Sequence, residues 1–141
     1  MILAEYIQLK FYMMKKLFVL IVLIVGIIWG TEAQSKGITF EQTKEWKKVL
    51  KKAKKEKKLI FIDCYTSWCG PCKMLSSQVF TREDVGNQFN ADFINVKYDM
   101  EKDADGVMLK DKFEVKAFPT LVFVDPNTQQ VVHKMVGAGS A

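Results

Sequence analysis

Six consecutive residues decide the fold of this chain: Trp68-Cys69-Gly70-Pro71-Cys72-Lys73. The two cysteines are separated by two residues and follow the apolar run Leu59 to Ile62. This order predicts a strand that leads into a turn, with the turn opening a helix. The first cysteine then lies at the helix N-terminus, where free N–H groups and the helix dipole lower the pKa of a thiol. The motif therefore predicts a reactive dithiol whose two sulfurs are close enough to form a disulfide.

The expected chemistry of such a pair is thiol–disulfide exchange. Cys69, as a thiolate, would attack a substrate disulfide, and Cys72 would then resolve the mixed disulfide. Cys72 lies further inside the helix and needs a base, for which Asp63 is the candidate, acting through a water. The alternative for Asp63 is a structural carboxylate that caps a turn. This chemistry uses the thiols alone, so we expect no cofactor.

Asp63 and Cys64 are neighbours within the apolar run that precedes the motif. An ionised carboxylate is costly to bury there, so we expect Asp63 to have a raised pKa or a charged partner. Cys64 points to the opposite face of the strand, because side chains alternate along a strand. We interpret Cys64 as a small buried hydrophobic residue and not as a redox partner.

The composition is that of one globular domain with a positive charge. The chain has 141 residues, of which 49% are hydrophobic and 26% charged, and its net charge is +5. Arg82 is the only arginine, and no cluster of arginine with aromatic residues appears, so we expect no nucleic-acid partner. With three cysteines and His133 as the single histidine, no zinc-finger type of site can be assembled, and we expect no metal.

The N-terminal 33 residues have the layout of a secretory signal peptide. Lys15-Lys16 precede an apolar stretch from Leu17 to Trp29, and small residues follow it. We predict cleavage after Ala33, which places the remaining chain in the periplasm or another extracytoplasmic space. The apolar stretch is short for a bilayer span, which needs about 20 residues, so an uncleaved membrane anchor is the alternative.

The same region bears on where the chain starts and where the domain begins. Residues 1–12 fit neither a signal peptide nor an anchor, while Met13 and Met14 stand directly before the lysine pair. We therefore expect the natural start to lie at these methionines. The predicted organisation is a signal peptide over 1–33 and one folded domain over 34–141.

Hydrophobic patterning predicts alternating helices and strands in that domain. A helix over 41–57 has one apolar stripe, after a stretch that is either a short first strand or a lead into the helix. The later elements, in chain order, are a strand over 59–65, the motif helix, one or two further helical turns opened by a capping box over 81–84 and running through Val85 and Phe89, a strand over 93–98, a helix over 104–113 and strands over 120–124 and 130–136. This order predicts an α/β fold that ends in a hairpin.

The polar face of the helix over 41–57 consists mostly of lysine. A solvated face is the simpler interpretation. The alternative is a surface that contacts anionic lipid head groups, or an acidic partner, through the same lysines.

The motif resembles the active site of the thioredoxin superfamily. In that family a buried aspartate precedes the first cysteine by six residues, and Asp63 stands there; a cis-proline loop is matched by Phe118-Pro119-Thr120. The resemblance implies a thioredoxin-like fold, with a central mixed sheet flanked by helices, and a substrate chain that pairs with the backbone before the proline. The substrate-binding residues it implies are Trp68, Gly70, Pro71, Phe118 and Pro119.

Two details of the resemblance concern the subfamily and the end of the fold. The stretch over 63–69 resembles the C-terminal periplasmic domain of membrane thiol:disulfide interchange reductases. Phe118 stands where the family more often has a smaller residue, which is a difference that bears on partner choice. The family fold ends in a helix after the last strand, whereas four residues follow Gly137 here. We therefore expect a C-terminally truncated domain with apolar side chains uncovered on one sheet face.

These features predict an extracytoplasmic thiol–disulfide oxidoreductase that reduces protein disulfides. Its expected partners are disulfide-containing proteins and a membrane electron donor. A disulfide oxidase or isomerase is the alternative within the same chemistry. A thiol or copper(I) carrier is the alternative from another class, because copper(I) accepts two thiolate ligands.

Overall fold

The computed structural model describes residues 13–17, which are helical, and residues 37–138. The chain divides into two units, Met1–Gln34 and Ser35–Ala141, and the sheet with its helices lies in the second. The predicted signal peptide over 1–33 and its cleavage point lie outside the described residues, apart from the helical stretch. Within these two described ranges, no helix is long and apolar enough to cross a membrane.

A four-stranded mixed sheet with the order β2-β1-β3-β4 forms the centre of the described domain. Its strands are β1 (Leu59–Tyr65), β2 (Phe93–Asp99), β3 (Thr120–Val124) and β4 (Val131–Val136). β1 pairs in parallel with β2 and antiparallel with β3, and β3 pairs antiparallel with β4. The predicted α/β architecture with a terminal hairpin is confirmed, and strand ends differ from the prediction by one residue.

Four α-helices flank the sheet within residues 37–138. They are α1 (Trp46–Glu56), α2 (Gly70–Met74), α3 (Glu83–Asp92) and α4 (Ala104–Lys112), and α2 continues as one turn of π-helix over Leu75–Val79. The order of helices and strands is the one that the sequence predicts, except that α3, for which only one or two turns are predicted, is a helix of 10 residues. The π-helical turn was not predicted.

The N-terminal edge of α1 corrects one prediction. The sequence predicts a helix from residue 41, but residues 41–45 are not helical, and Glu41 N donates a hydrogen bond to Asn95 O at 2.8 Å. Ile38 N similarly donates to Phe80 O at 2.7 Å. Side chains of Asn90 and Asn95 also hydrogen-bond to the backbone of this segment, so 37–41 is held by isolated hydrogen bonds and is not a strand.

The predicted capping box at the start of α3 is wrong. The N-cap residue is Arg82, and no side chain caps it. The Thr81 hydroxyl, which the prediction assigned to the cap, donates instead to Ser77 O at 2.8 Å. The acidic residues Glu83 and Asp84 lie in the first turn of the helix, where they favour its N-terminus electrostatically.

The larger apolar cluster lies on the face of the sheet covered by α1 and α4. Trp46, Val49 and Ala53 form the buried stripe of α1 and pack against alternate residues of β1. Leu109 of α4 belongs to the same cluster. Both faces of β1 are covered, which explains why its sequence is an almost continuous apolar run.

The smaller cluster lies on the opposite face of the sheet, beneath α2 and α3. Phe61 of β1 packs there with Leu75 and Phe80. The helices cover this face of the sheet incompletely near β3 and β4. Leu121 and Phe123 are only half-buried there, and Met135 is exposed. Among the described residues, which end at 138, no helix follows β4, and apolar side chains are partly uncovered on this face. The truncation of the domain stays a prediction.

Candidate functional site

The two motif cysteines lie at the start of α2, directly after β1. Cys69 is the N-cap residue of the helix, and its Sγ accepts a hydrogen bond from Cys72 N at 3.2 Å. Cys69 N donates to Thr66 O at 3.2 Å, which ties the loop after β1 to the motif. A sulfur that receives an N–H at a helix start is stabilised as a thiolate when the pair is reduced.

Cys69 and Cys72 form a disulfide in the structure. The S–S distance is 2.00 Å and the two Cα atoms are 5.3 Å apart. Each residue is only 3% exposed, so the pair is recessed behind its neighbours. The structure thus describes the oxidised form of the site and confirms that the two sulfurs can pair.

The predicted cis-proline loop adjoins the motif. The Phe118–Pro119 peptide bond is cis, as the resemblance implies. β3 begins directly afterwards at Thr120, which pairs with Cys64 near the end of β1. The Phe118 ring packs edge-on against Trp68, with 6.0 Å between centroids. The structure therefore brings this loop to the end of β1 from which the motif follows.

An exposed surface surrounds the disulfide. Trp68 is 65% exposed, and its indole Nε1 donates to Glu101 Oε2 at 2.9 Å. A Cβ built on Gly70 would meet no heavy atom within 4 Å, so a chain can approach the helix start closely there. Lys110 Nζ lies 5.8 Å from the Phe118 ring centroid, which adds a positive charge to the aromatic pair. The five residues expected to bind substrate include Pro71, which is exposed, and their binding role stays a prediction.

Asp63 is 1% exposed and lies in the centre of β1. Burial raises the pKa of its carboxyl to about 7, and the positive charge of Lys97 opposes this rise. Lys97 is the residue of β2 paired with Asp63 in the parallel ladder. The expected raised pKa is confirmed, and a carboxyl with such a pKa can exchange its proton near neutral pH.

A cavity of about 320 Å³ connects Asp63 with the motif. Its lining includes Asp63 and Cys72, together with Thr66, Lys73 and Lys97. Its volume exceeds the space of about 30 Å³ that one water occupies in the liquid. The structure thus brings the predicted base and the predicted resolving cysteine to one cavity, where water can connect them.

Cys64 lies on the other face of β1 and is a free, fully buried cysteine. Burial raises the pKa of its thiol, the charge of Asp63 raises it further, and Lys134 opposes both effects. A thiol with a raised pKa is a poor nucleophile at neutral pH. Cys64 packs in the larger apolar cluster, as expected of a small hydrophobic residue.

The lysines over 44–58 are of two kinds. One group pairs with carboxylates of the same domain: Lys44 with Asp103, Lys48 with Glu45, Lys52 with Glu41 and Glu56, and Lys58 with Glu56. The others are exposed and form no ion pair among the described residues: Lys47, Lys51, Lys54, Lys55 and Lys57. Contact of this face with a membrane surface stays a prediction.

Three residues of the site were not found from the sequence. Lys97 could have been identified by pairing the two strands in parallel, because it is the only charged residue of the predicted strand over 93–98 and falls opposite Asp63. Thr66 follows β1 directly and resembled an ordinary loop residue. Glu101 belongs to an acidic run over 99–105, and nothing in the sequence of that run indicates its hydrogen bond with Trp68.

Comparison with known proteins gives one consistent result. A family model described as Thioredoxin matches residues 37–141. Thioredoxin H2 of Arabidopsis thaliana is 31% identical over 110 residues, which cover 77% of this chain and 76% of that protein. A solved structure from Bacteroides thetaiotaomicron, described as a candidate disulphide-isomerase, is 47% identical with a TM-score of 0.66 and covers 77% of this chain and 88% of that one. The crystal structure of poplar thioredoxin h is 27% identical with a TM-score of 0.56, covering 73% and 86%.

Proposed function

This chain belongs to the thioredoxin family of thiol–disulfide oxidoreductases, and from that premise we propose that it reduces protein disulfides outside the cytoplasm. The position of the cysteines carries the proposal. Cys69 caps the start of α2, and Cys72, one turn later, is disulfide-bonded to it. This arrangement provides an attacking thiolate and a resolving thiol at one helix start.

The first step is attack on the substrate. In the reduced protein, the Cys69 thiolate attacks one sulfur of the substrate disulfide, and a mixed disulfide forms between Cys69 and the substrate. The second substrate sulfur leaves as a thiolate and takes a proton from solvent. The exposed Trp68 and the open approach above Gly70 give the substrate chain a surface on which to lie.

The second step releases the substrate. The Cys72 thiol transfers its proton through water in the cavity to the Asp63 carboxylate. The Cys72 thiolate then attacks the Cys69 sulfur, the Cys69–Cys72 disulfide forms, and the other substrate sulfur leaves as a thiolate. Two electrons have passed from the dithiol to the substrate, and the carboxyl of Asp63 later returns its proton to solvent.

The direction and the location rest on sequence features. Gly-Pro between the cysteines resembles the reducing members of the family. The layout of residues 1–33 favours export, after which the dithiol needs a membrane reductase to supply electrons. Mass spectrometry of the N-terminus of the exported protein tests the location. A first residue at Gln34 supports cleavage, and a first residue before Leu17 contradicts it.

Disulfide isomerisation is the second candidate. The Bacteroides thetaiotaomicron protein, 47% identical, is described as a candidate disulphide-isomerase, and the description belongs to that protein. An isomerase also begins with attack by a reduced cysteine, but it restores the dithiol by releasing a rearranged substrate. Recovery of native disulfides in a scrambled protein, with no net loss of substrate disulfides, would favour this candidate over a reductase.

Reduction of a protein disulfide tests the proposal directly. The protein, supplied with dithiothreitol, should accelerate the reduction of insulin, and Cys69→Ser should fall to the uncatalysed rate. Cys72→Ser should accumulate a mixed disulfide with the substrate, because the resolving thiol is missing. Cys64→Ala is the matched control and should behave as the unmodified protein. An active Cys69→Ser variant, or a Cys72→Ser variant that captures copper(I) and no protein, would contradict the proposal.

A further inference from the structure

Two buried polar atoms in the cavity beneath α2 lack a partner. Thr66 is fully buried and Asp63 is 1% exposed. Among the described residues, neither Thr66 Oγ1 nor Asp63 Oδ1 has a hydrogen-bond partner. Both residues line the same cavity as Cys72. Buried polar atoms are normally paired with protein or with ordered water, so water in this cavity is the natural partner for both.

We propose that the Thr66 hydroxyl is a positioning residue, which holds the water that carries the proton from Cys72 to Asp63. This inference rests on the proposed function, because it concerns the step in which Cys72 resolves the mixed disulfide. A hydroxyl can donate one hydrogen bond and accept two. It can therefore orient a water that receives the Cys72 proton on one side and gives a proton to Asp63 on the other.

The position of Thr66 is fixed by the fold. Its backbone carbonyl accepts the hydrogen bond from Cys69 N at 3.2 Å, so the residue moves with the motif. Its β-branched side chain has few rotamers, and full burial restricts it further. The hydroxyl is thus held in one place with little entropic cost remaining when water binds.

The other hydroxyls that line the cavity are less suited to this role. Ser67, Ser76 and Ser77 are exposed residues, and the Ser77 hydroxyl donates to Met74 O at 3.3 Å. Tyr65, whose side chain also carries a hydroxyl, is half-buried. Among the hydroxyl residues that line the cavity, Thr66 alone is buried. Water beside the exposed serines would exchange readily with solvent, whereas Thr66 and Asp63 are both almost fully buried.

The charges around Asp63 are compatible with this relay. Lys97 faces it from β2, and Lys73 and Cys72 line the same cavity from α2. From β3 the paired residue is Leu121, which has no charge. The relay balances without another reactant: the Cys72 sulfur loses one proton and becomes a thiolate, the water passes on one proton, and the Asp63 carboxylate becomes neutral.

Rapid mixing of the reduced protein with oxidised glutathione, followed by acid quenching and mass spectrometry, tests the inference. The mixed disulfide between Cys69 and glutathione decays to the Cys69–Cys72 disulfide, and its decay rate is recorded from pH 5 to 9. Thr66→Val keeps the shape of the side chain and removes the hydroxyl. We expect decay at pH 7 to slow roughly tenfold, a part of what a general base contributes, and the midpoint of the pH profile to rise.

Two further variants separate positioning from a structural effect. Thr66→Ser keeps the hydroxyl and should restore most of the rate, whereas Thr66→Ala should match Thr66→Val. In an Asp63→Asn background, Thr66→Val should change the rate by less than about twofold, because the relay is already broken. Thr66→Ala also serves if Thr66→Val does not fold.

The outcomes distinguish this inference from the proposed function. If the unmodified protein does not accelerate the reduction of insulin, the proposed function fails and this inference with it. If that protein forms and resolves the mixed disulfide, but Thr66→Val and Thr66→Ala share its rate and pH profile, only the role of Thr66 is overturned. Equal slowing in Thr66→Ser and Thr66→Val would also overturn it.

Discussion

The two faces of β1 place neighbouring residues in different environments. Asp63 and Cys64 are both almost fully buried, and burial raises the pKa of both side chains. Asp63 lines a cavity that Cys72 also lines, whereas Cys64 packs in the apolar cluster beneath α1. Burial therefore makes a useful proton acceptor only where water and a second reactive group share the space. Where water and a second reactive group are absent, burial leaves the side chain chemically inert, as at Cys64.

Replacing Asp63, the proposed proton acceptor for Cys72, should slow the reaction more than a substitution of Lys97 or Cys64. In Asp63→Asn the Cys72 proton has no carboxylate to go to, so we expect the mixed disulfide to decay roughly 10²-fold more slowly at pH 7. The midpoint near pH 7 should also disappear, and the rate should instead keep rising with pH, because Cys72 then loses its proton to solvent. Acid-quench kinetics with oxidised glutathione measure both effects, and a rate unchanged from the unmodified protein would show that Asp63 is not the base.

The buried carboxyl should also make stability depend on pH. The pKa of Asp63 is about 7 in the folded protein and 3.8 for the unperturbed group. The folded state therefore holds this proton over a range in which the unfolded state has lost it, so stability falls as pH rises from about 4 to about 7. We expect a loss on the order of a few kcal/mol across this window. Urea unfolding of the reduced protein at pH 5 and pH 8 measures it, and Asp63→Asn should remove most of the difference.

Replacing Lys97 should shift the pKa of Asp63, while the Asp63 carboxyl remains the proton acceptor. Its charge lowers the pKa of Asp63, so Lys97→Met should raise that pKa and move the midpoint of the pH profile upward. At pH 7 more of the carboxyl would then be protonated, and resolution should slow severalfold. Lys55→Met, on the exposed face of α1, is the matched control. A midpoint that moves equally in both variants would point to net charge and not to the local pair.

Cys64 should give the smallest effect. Cys64→Ala removes a buried sulfur from the apolar cluster, which we expect to cost about 1 kcal/mol of stability. Activity in insulin reduction should not change. In the native protein the Cys64 thiol should resist alkylation by iodoacetamide until the chain unfolds. Fast alkylation under native conditions would show that solvent reaches the Cys64 thiol, and would contradict the view that Cys64 is inert while Asp63 is reactive.

Much of the site could be predicted because its signals are local. The apolar run before the motif predicted β1, and the positions of Asp63 and Pro119 followed from a resemblance carried by short motifs. The raised pKa of Asp63 followed from placing a carboxylate in an apolar strand. These inferences need only the chain neighbours of each residue, so tertiary structure did not overturn them.

The features that were missed depend on contacts between distant segments. Residues 41–45 are not helical. The backbone N–H of Glu41 donates a hydrogen bond to Asn95 O of β2, and the hydrophobic pattern of a helix carries no information about such a contact. The capping box failed because α3 begins one residue later than predicted, with Arg82 as its N-cap, while the Thr81 hydroxyl donates to Ser77 O in the preceding turn. Thr66 became important only when α2 and the sheet enclosed one cavity.

The reduction potential of the Cys69–Cys72 pair tests the central claim most directly. Equilibration of the protein with a series of dithiothreitol redox buffers, with the dithiol fraction measured by alkylation and mass spectrometry, gives this value. A reductant of this family should have a potential close to that of thioredoxin, about −270 mV. A potential near that of strong oxidants, about −120 mV, would contradict the proposed direction of electron flow.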